Sequence, residues 1–212
     1  LPREGFLQGL RELCTKNGAL LIFDEVITGF RLSLSGAQGL YGVMPDLTCL
    51  GKIIGGGLPV GAVGGRREIM SLLAPEGPVY QAGTLAGNPL AVRAGLETIR
   101  IIEKEEPYEE LERKGKILAQ GLLEVFREKG IPVRINQIGS MLSVFFTEEE
   151  VFDLDSAKRS NTYLFSLFFH GLLKRGILIP PSQFESWFIS TAHTESDLSL
   201  TVEAIGEALK EL

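Results

Sequence analysis

Two side chains occupy the positions at which an α/β protein commonly does its chemistry. Asp24 follows the continuous apolar run at 19–23, and Lys52 closes the segment PDLTCLGK, whose composition also favours a strand. Such apolar runs are typical of strands that are buried on both faces of a parallel sheet. Ligands of these sheets bind at the carboxyl ends of the strands. We therefore expect the carboxylate of Asp24 and the amine of Lys52 to face one crevice.

Each of these residues alone has a simpler interpretation. A carboxylate after a strand is more often the N-cap of a helix, and a lysine is more often a solvated surface charge. The pair in one crevice, with glycines at 55, 56 and 57 just after the lysine, favours a cofactor site. Pyridoxal phosphate needs such a pair, because a lysine binds its aldehyde covalently and a carboxylate keeps its pyridine nitrogen protonated.

Two common nucleotide-binding motifs are absent. A Walker loop requires G-x-x-x-x-G-K-[ST], but Asp46 stands where its first glycine belongs and Ile53 follows Lys52. The dinucleotide fingerprint G-x-G-x-x-G also fails, because Val60 occupies its sixth position when the pattern starts at Gly55. ATP and nicotinamide cofactors therefore lose their best support.

Hydrophobic periodicity predicts the elements that position these residues. We place a domain boundary near Pro107. Before it, the sequence predicts a helix at 3–17, three buried strands of a parallel sheet at 19–23, 45–52 and 59–65, and a helix at about 90–105. After it, the sequence predicts a helix, strands at 131–135 and 139–147, a helix at 158–175 and a final helix. The predicted fold class is α/β, with an α/β domain at 1–106 and a small α+β domain at 107–212.

Composition argues against several classes of partner. The chain of 212 residues has a net charge of −6 and a pI of about 5.1, so we expect no binding to nucleic acid or to an anionic membrane. No apolar run approaches the ~18 residues of a membrane span. Cys14 and Cys49 are expected to be reduced thiols. His170 and His193 lie far apart without cysteine partners, so we predict no metal site.

Long segments of the chain resemble the class III pyridoxal-phosphate aminotransferases. They are LLIFDEVITGFR, PDLTCLGKIIGGGLPVGAVGGRREIM and GPVYQAGTLAGNPLAVRAG, followed by GSMLSVFFT and FFHGLLKRGILIPPSQFESWFISTAH. The resemblance implies a fold-type I transferase, with the C-terminal part of its large cofactor-binding domain at 1–106 and its small domain at 107–212. In that family a phosphate loop, a substrate-binding arginine and a mobile lid precede the point that matches Leu1, so the chain resembles a C-terminal half.

The resemblance implies a role for each matching residue. Asp24 would pair with the pyridinium nitrogen of the cofactor, and Val26 would pack on the face of its ring. Lys52 would bind the cofactor covalently and carry a proton between cofactor and substrate carbons. Gly83 and Thr84 would bind the phosphate of the cofactor in the neighbouring subunit, which implies a homodimer.

Two features of the C-terminal half bear on the substrate. Glu185, in SQFES, would lie near the cofactor amine and tune its chemistry. Aminotransferases of this family hold the carboxylate of a 2-oxoacid with an arginine of the small domain, but no arginine follows Arg175 in this chain. This favours the aminomutase branch of the family, isomerases that need no second substrate.

The aminomutase branch uses pyridoxal phosphate and pyridoxamine phosphate to convert glutamate-1-semialdehyde to 5-aminolevulinate, the precursor of porphyrins and other tetrapyrroles. The resemblance therefore implies a small-molecule substrate and a cytoplasmic enzyme, with a plastid as the other possible location. Two alternatives stay open. One is an ω-amino acid aminotransferase that uses a 2-oxoacid acceptor, and the other is a non-catalytic fragment that dimerises.

Overall fold

The computed structural model describes residues 1–212 and divides them into two compact units, Pro2–Glu106 (the N-terminal unit) and Pro107–Leu212 (the C-terminal unit). None of the helices combines the length and the apolar character that crossing a membrane requires. The elements of the N-terminal unit are α1 Phe6–Asn17, β1 Ile22–Asp24, α2 Gly36–Tyr41, β2 Leu47–Leu50, the 3-10 turn Lys52–Gly55, β3 Ala62–Gly65, α3 Arg67–Met70 and α4 Pro89–Glu105.

The sheet of the N-terminal unit has the order β1-β2-β3. β1 pairs with β2 in parallel, whereas β3 pairs with β2 in the antiparallel sense. The prediction that 59–65 forms a third parallel strand is therefore wrong. A parallel pair needs a crossover connection, usually a helix, whereas the 3-10 turn Lys52–Gly55 returns the chain directly along β2.

Burial in this sheet is lower than the apolar sequence predicts. The expectation of a strand at 19–23 buried on both faces is wrong, because β1 is a three-residue edge strand and the side chain of Ile22 is 55% exposed. Leu21 is buried where it enters the strand. An apolar run thus identified a strand of the sheet correctly but not the number of layers that cover it.

A buried carboxylate links several elements at the end of this sheet where β2 begins. Asp46 precedes β2, and its Oδ2 accepts hydrogen bonds from the Leu21 N–H (2.8 Å) and the Arg11 guanidinium (2.7 Å). Its Oδ1 accepts from Arg66, which follows β3, at 3.1 Å. The Leu21 N–H and then Arg11 hold the pKa of Asp46 well below its usual range. One side chain therefore joins α1, β1 and the end of β3.

The C-terminal unit packs helices on an antiparallel sheet of order β4-β5-β6. Its elements are α5 Tyr108–Glu128, β4 Arg134–Ile138, β5 Met141–Phe145, α6 Leu154–Lys158, α7 Thr162–Leu173, β6 Trp187–Phe188 and α8 Glu195–Ala208. A cluster of aromatic rings fills the core, with neighbouring ring centres 5.4–6.5 Å apart; its members are Phe126, Phe146, Phe165, Phe168 and Trp187. This core explains the apolar periodicity of the second half of the sequence.

The boundaries of two predicted elements in this unit are wrong. The helix predicted at 158–175 is α7, which begins only at Thr162, because Asn161 caps its start by accepting the Leu164 N–H at 3.0 Å. The strand predicted at 131–135 begins at Arg134. Local capping decides the first boundary and pairing with β5 decides the second, and neither effect changes the apolar pattern.

Candidate active site

Asp24 and Lys52 lie at the carboxyl ends of two adjacent parallel strands. Asp24 is the last residue of β1 and is in register with Cys49 of β2. Lys52 begins the 3-10 turn after β2, with Gly51 between strand and turn. Both side chains are exposed. The edge of the sheet at which a ligand is expected therefore carries one carboxylate and one amine.

The backbone of Lys52 has an uncommon conformation. Its φ angle is 48°, in the left-handed region, and the preceding Gly51 is fully extended. A lysine gains nothing from that conformation, and such residues cost of order 1–3 kcal/mol where the surrounding fold enforces them. Strain of this kind concentrates at functional sites. Phe30 of the same unit is also left-handed, with a φ angle of 58°, so it is strain together with the amine at a strand end that makes Lys52 the foremost candidate.

Val26 lies between the ends of the two strands. A Cβ placed on Gly51 would stand 3.2 Å from Val26 Cγ1, so the valine packs directly on the residue before Lys52. The Val26 N–H donates to Asp24 Oδ1 at 3.0 Å, which fixes the direction of the carboxylate. An apolar surface, a carboxylate and an amine thus meet in one short stretch of the sheet edge.

Helix α4 supports the turn that carries Lys52. Gly95 has no side chain because any Cβ there would collide with the carbonyl oxygen of Ile54, and Gly56 lies similarly close to Ala94. The helix is capped by Asn88, whose Oδ1 accepts the Ala91 N–H at 2.9 Å. This contact fixes the turn Lys52–Gly55 against a 17-residue helix.

Gly83 and Thr84 are exposed in the loop before α4. A turn closes there through the Ala86 N–H, which donates to the Gly83 carbonyl at 3.0 Å. No hydrogen bond joins Gly83 or Thr84 to Asp24 or Lys52 within the chain. The loop is thus presented outward, at the start of the helix that supports Lys52.

Glu185 belongs to the C-terminal unit. It is exposed in the turn before β6, and its N–H donates to the Ser182 carbonyl at 3.1 Å. The structure therefore groups Asp24, Val26 and Lys52 in one site and leaves Glu185 in the other unit.

One residue beside the site was not predicted from the sequence. Glu25 follows Asp24 directly, yet it is only 1% exposed and its carboxylate is fully engaged in hydrogen bonds. The alternation of Asp24 outward and Glu25 inward follows from the side-chain period of a strand. The apolar pattern did not predict a buried acid here, because the groups that satisfy its carboxylate lie at 28, 37 and 38.

The chemistry of this donor set is restricted. A primary amine can bond to an aldehyde, and a nearby carboxylate can accept a hydrogen bond from a protonated ring nitrogen. A valine can cover the face of a ring. An aromatic aldehyde with a basic ring nitrogen matches all three groups at once.

Comparison with known proteins agrees with this geometry. Residues 1–205 match the family model "Aminotransferase class-III". A curated relative, glutamate-1-semialdehyde 2,1-aminomutase of Aquifex aeolicus, is 59% identical over 100% of this chain and 50% of its own length. The chain spans about half the length of the curated relatives it matches.

Solved structures give the same result for the fold. An omega-transaminase from Sphaerobacter thermophilus is 35% identical with a TM-score of 0.87, over 98% of this chain and 48% of its own. A glutamate-1-semialdehyde-aminomutase from Pseudomonas aeruginosa, in complex with PMP, is 28% identical with a TM-score of 0.87, over 100% of this chain and 49% of its own. The predicted fold class is thereby confirmed, and the chain belongs to the class-III aminotransferase family.

Proposed function

We propose that this chain carries the lysine and the pyridine-binding carboxylate of a pyridoxal-phosphate-dependent aminomutase. The reaction is the isomerisation of glutamate-1-semialdehyde to 5-aminolevulinate, the precursor of porphyrins. The observation that carries this proposal is the 59% identity, over the full chain, with the Aquifex aeolicus aminomutase. The position of Asp24 and Lys52 at adjacent strand ends supports it independently.

The residues at the sheet edge fit pyridoxal phosphate and its pyridoxamine form. Lys52 would bind the aldehyde carbon, Asp24 would accept the ring N–H, and Val26 would lie against the ring. When bound, the cofactor supplies a cationic ring that stabilises the charge left when a proton leaves a substrate carbon. Asp24 keeps that ring nitrogen protonated, which is the condition for this stabilisation.

Lys52 has a second task once its amine is released. Its Nζ would carry a proton between cofactor and substrate carbons, as a general base and then a general acid. The left-handed backbone and the support of α4 hold its Cα in one place, so only the flexible side chain needs to move. Substrate and product are isomers in which the amino group and the carbonyl oxygen have exchanged carbons. The oxygen leaves one carbon as water and enters the other from water, so no second substrate is consumed.

The loop at 83–84 and the residue Glu185 complete the proposal. Gly83 and Thr84 would bind the cofactor phosphate of a second copy of the chain, in a homodimer. The outward position of this loop supports that role, as do the large apolar side chains around it: Tyr80 is 82% exposed and Leu85 66% exposed. Glu185 would act near the cofactor amine. The N-terminal and C-terminal units would then be parts of the large and the small domain, respectively.

The lack of an available arginine from Arg175 onward supports a mutase over an aminotransferase. Residues 176–212 contain none, and Arg175 is held by the carboxylate of Glu211 and the carbonyls of Gly171 and Glu207. A 2-oxoacid would have to compete with those partners for the guanidinium. We also infer a cytoplasmic location, or a plastid, since both cysteines are free thiols.

The proposal is tested by trapping the cofactor. The chain is mixed with pyridoxal phosphate, its visible spectrum is recorded, and the complex is reduced with borohydride and digested. A yellow complex and a labelled peptide that contains Lys52 are expected. The same test is run on the chain co-expressed with the half of the Aquifex aeolicus relative that it does not span. Absence of a label on Lys52 in both samples would leave the non-catalytic fragment as the better explanation.

A second function is favoured by one comparison, the 35% identity with an omega-transaminase. The two activities are separated by their substrates. An unreduced sample in which pyridoxamine phosphate is bound is given glutamate-1-semialdehyde alone, and the mutase forms 5-aminolevulinate without further addition. An ω-amino acid aminotransferase would form product only with an amino donor and a 2-oxoacid.

A further inference from the structure

We propose that Glu25 is a positioning residue for Asp24 and Val26, an assignment that rests on the proposed function. The side chain of Glu25 is 1% exposed, which places it among the most deeply buried large side chains of the chain. A buried carboxylate is costly unless its oxygens are satisfied by donors. The identity of those donors shows what Glu25 holds in place.

Three donors from two segments converge on the Glu25 carboxylate. Oε2 accepts from Thr28 Oγ1 at 2.6 Å and from the Ala37 N–H at 2.8 Å. Oε1 accepts from the Gln38 N–H at 2.8 Å. Ser35, the residue at the N-cap position of α2, makes no capping bond with its own side chain, so Glu25 satisfies the start of that helix instead.

The backbone of Glu25 is held as firmly as its side chain. Its N–H donates to the Cys49 carbonyl at 2.9 Å, which continues the pairing of β1 with β2 past Asp24. Its carbonyl accepts the Gly29 N–H at 2.8 Å, which closes the turn behind Val26. A Cβ on Gly29 would collide with Leu50, so this turn also packs on the end of β2.

These contacts fix the two residues on either side of Glu25. With position 25 anchored at N–H, carbonyl and carboxylate, the backbone of Asp24 and Val26 has little freedom left. Val26 then stays against Gly51, and its N–H stays on the Asp24 carboxylate. Glu25 thereby aims the Asp24 carboxylate at the crevice beside Lys52 without touching the ligand itself.

The test compares Glu25→Gln with the wild type by two readouts. The glutamine nitrogen cannot accept a hydrogen bond, so at least one of the three donors loses its acceptor. In the cofactor-free protein, hydrogen exchange of the Val26 and Gly29 amides is expected to become about tenfold faster, as a loss of roughly one hydrogen bond implies. With ¹⁵N-labelled pyridoxal phosphate bound, the ring-nitrogen NMR signal is expected to show loss of the proton at lower pH than in the wild type.

Two further variants separate positioning from stability. Asp46→Asn removes another buried carboxylate of the same unit, at the opposite end of the sheet, and should lower Tm while leaving the Val26 exchange and the ring-nitrogen signal as in the wild type. Thr28→Val removes one donor to Glu25 and should produce the same changes as Glu25→Gln at a similar size, because each variant loses about one hydrogen bond to position 25. It serves as the test if Glu25→Gln does not fold.

The outcomes are distinct. A lowered Tm with unchanged exchange at Val26 and an unchanged ring signal, in Glu25→Gln or in Thr28→Val, would show that Glu25 is merely structural. Equal changes in Asp46→Asn would overturn the proposal too, since the site would then respond to any loss of stability. A wild-type protein that binds no pyridoxal phosphate, alone or with the co-expressed half, would refute the proposed function and this inference with it.

Discussion

Asp24 and Glu25 are adjacent in the sequence but differ in burial and in role. Asp24 faces solvent at the end of β1, whereas Glu25 is buried and holds the start of α2. Lys52 completes the group from the next strand, in a left-handed conformation that a lysine adopts only under constraint. The side chain available for chemistry and the side chain that restrains it are therefore one residue apart.

Lys52→Ala removes the amine to which both covalent binding and proton transfer are assigned. We expect turnover to fall by about 10³-fold or more, since general acid–base catalysis alone contributes up to roughly 10⁴-fold. Pyridoxamine phosphate should still bind, because it has no aldehyde to react with lysine. Steady-state assays and equilibrium dialysis measure the two effects. An active Lys52→Ala protein would remove this residue from the mechanism.

Asp24→Asn keeps the shape of the carboxylate and removes its charge. The amide oxygen can still accept the Val26 N–H, so the turn should stay intact. We expect about ten- to hundredfold weaker cofactor binding, the range for a hydrogen bond to a charged group, and a larger loss of rate. Fluorescence titration with pyridoxal phosphate and a turnover assay test this. Turnover equal to that of the wild type would show that Asp24 does not hold the ring nitrogen.

At the scale of elements, helices were predicted better than strands. The end of α1 at Asn17, with Gly18 in the left-handed conformation, is confirmed, and α4 begins one residue before the predicted start at 90. Local rules govern both, namely a glycine stop and a helical period. The direction of β3 was missed because it depends on pairing with β2, and the start of α7 at Thr162 was missed because the cap at Asn161 does not change the apolar pattern.

Only those parts of the candidate site that lie at the ends of strands could be predicted from the sequence. The positions of Asp24 and Lys52 follow from two apolar runs, since parallel strands end at the same edge of a sheet. The burial of Glu25 does not follow from the apolar runs. Its carboxylate oxygens accept hydrogen bonds from the N–H groups at 37 and 38, which reach it only because Gly36 packs against the carboxylate. The roles of all the predicted site residues stay predictions: Asp24, Val26, Lys52, Gly83, Thr84 and Glu185.

Gly36→Ala tests how closely α2 packs on Glu25. Gly36 and Gly42, at the two ends of α2, have nearly equal φ angles of 65° and 64°. A Cβ on Gly36 would stand 2.5 Å from Glu25 Oε2, whereas a Cβ on Gly42 would meet no atom within 4 Å. Gly42→Ala should therefore cost about 1–2 kcal/mol from its backbone alone, and Gly36→Ala roughly 1–3 kcal/mol more from overpacking.

Urea unfolding of the two glycine variants measures this difference in the free energy of unfolding. Because the backbone cost is common to both, the excess in Gly36→Ala isolates the collision with Glu25. Equal destabilisation of the two variants would mean that the helix shifts freely and that Glu25 does not fix its start.

Across the whole molecule, the two units are stabilised in different ways. The C-terminal unit has a continuous core built on aromatic rings. The N-terminal unit buries few large apolar side chains and leaves many exposed, among them Ile22, Met44, Tyr80 and Leu90. Its sheet is instead fastened by two buried carboxylates, Glu25 at the carboxyl end and Asp46 at the other. The stability of the N-terminal unit should accordingly depend on the ionisation of Asp46, whose pKa is lowered in the folded chain.

Asp46 makes that dependence measurable. Its pKa is lowered in the folded chain, first by the Leu21 N–H and then by Arg11, so it contributes stability that is fully present above the unfolded pKa of about 3.9 and is lost as pH falls toward the folded value. We expect Asp46→Asn to be less stable than the wild type at pH 7. The difference in unfolding free energy should stay constant down to about pH 4 and then shrink progressively as the wild-type carboxyl becomes protonated. Urea unfolding monitored at the amides of the N-terminal unit between pH 7 and pH 2 tests this. A difference that does not change over that range would mean that Asp46 acts through shape alone, and that its charge does not join α1, β1 and the end of β3.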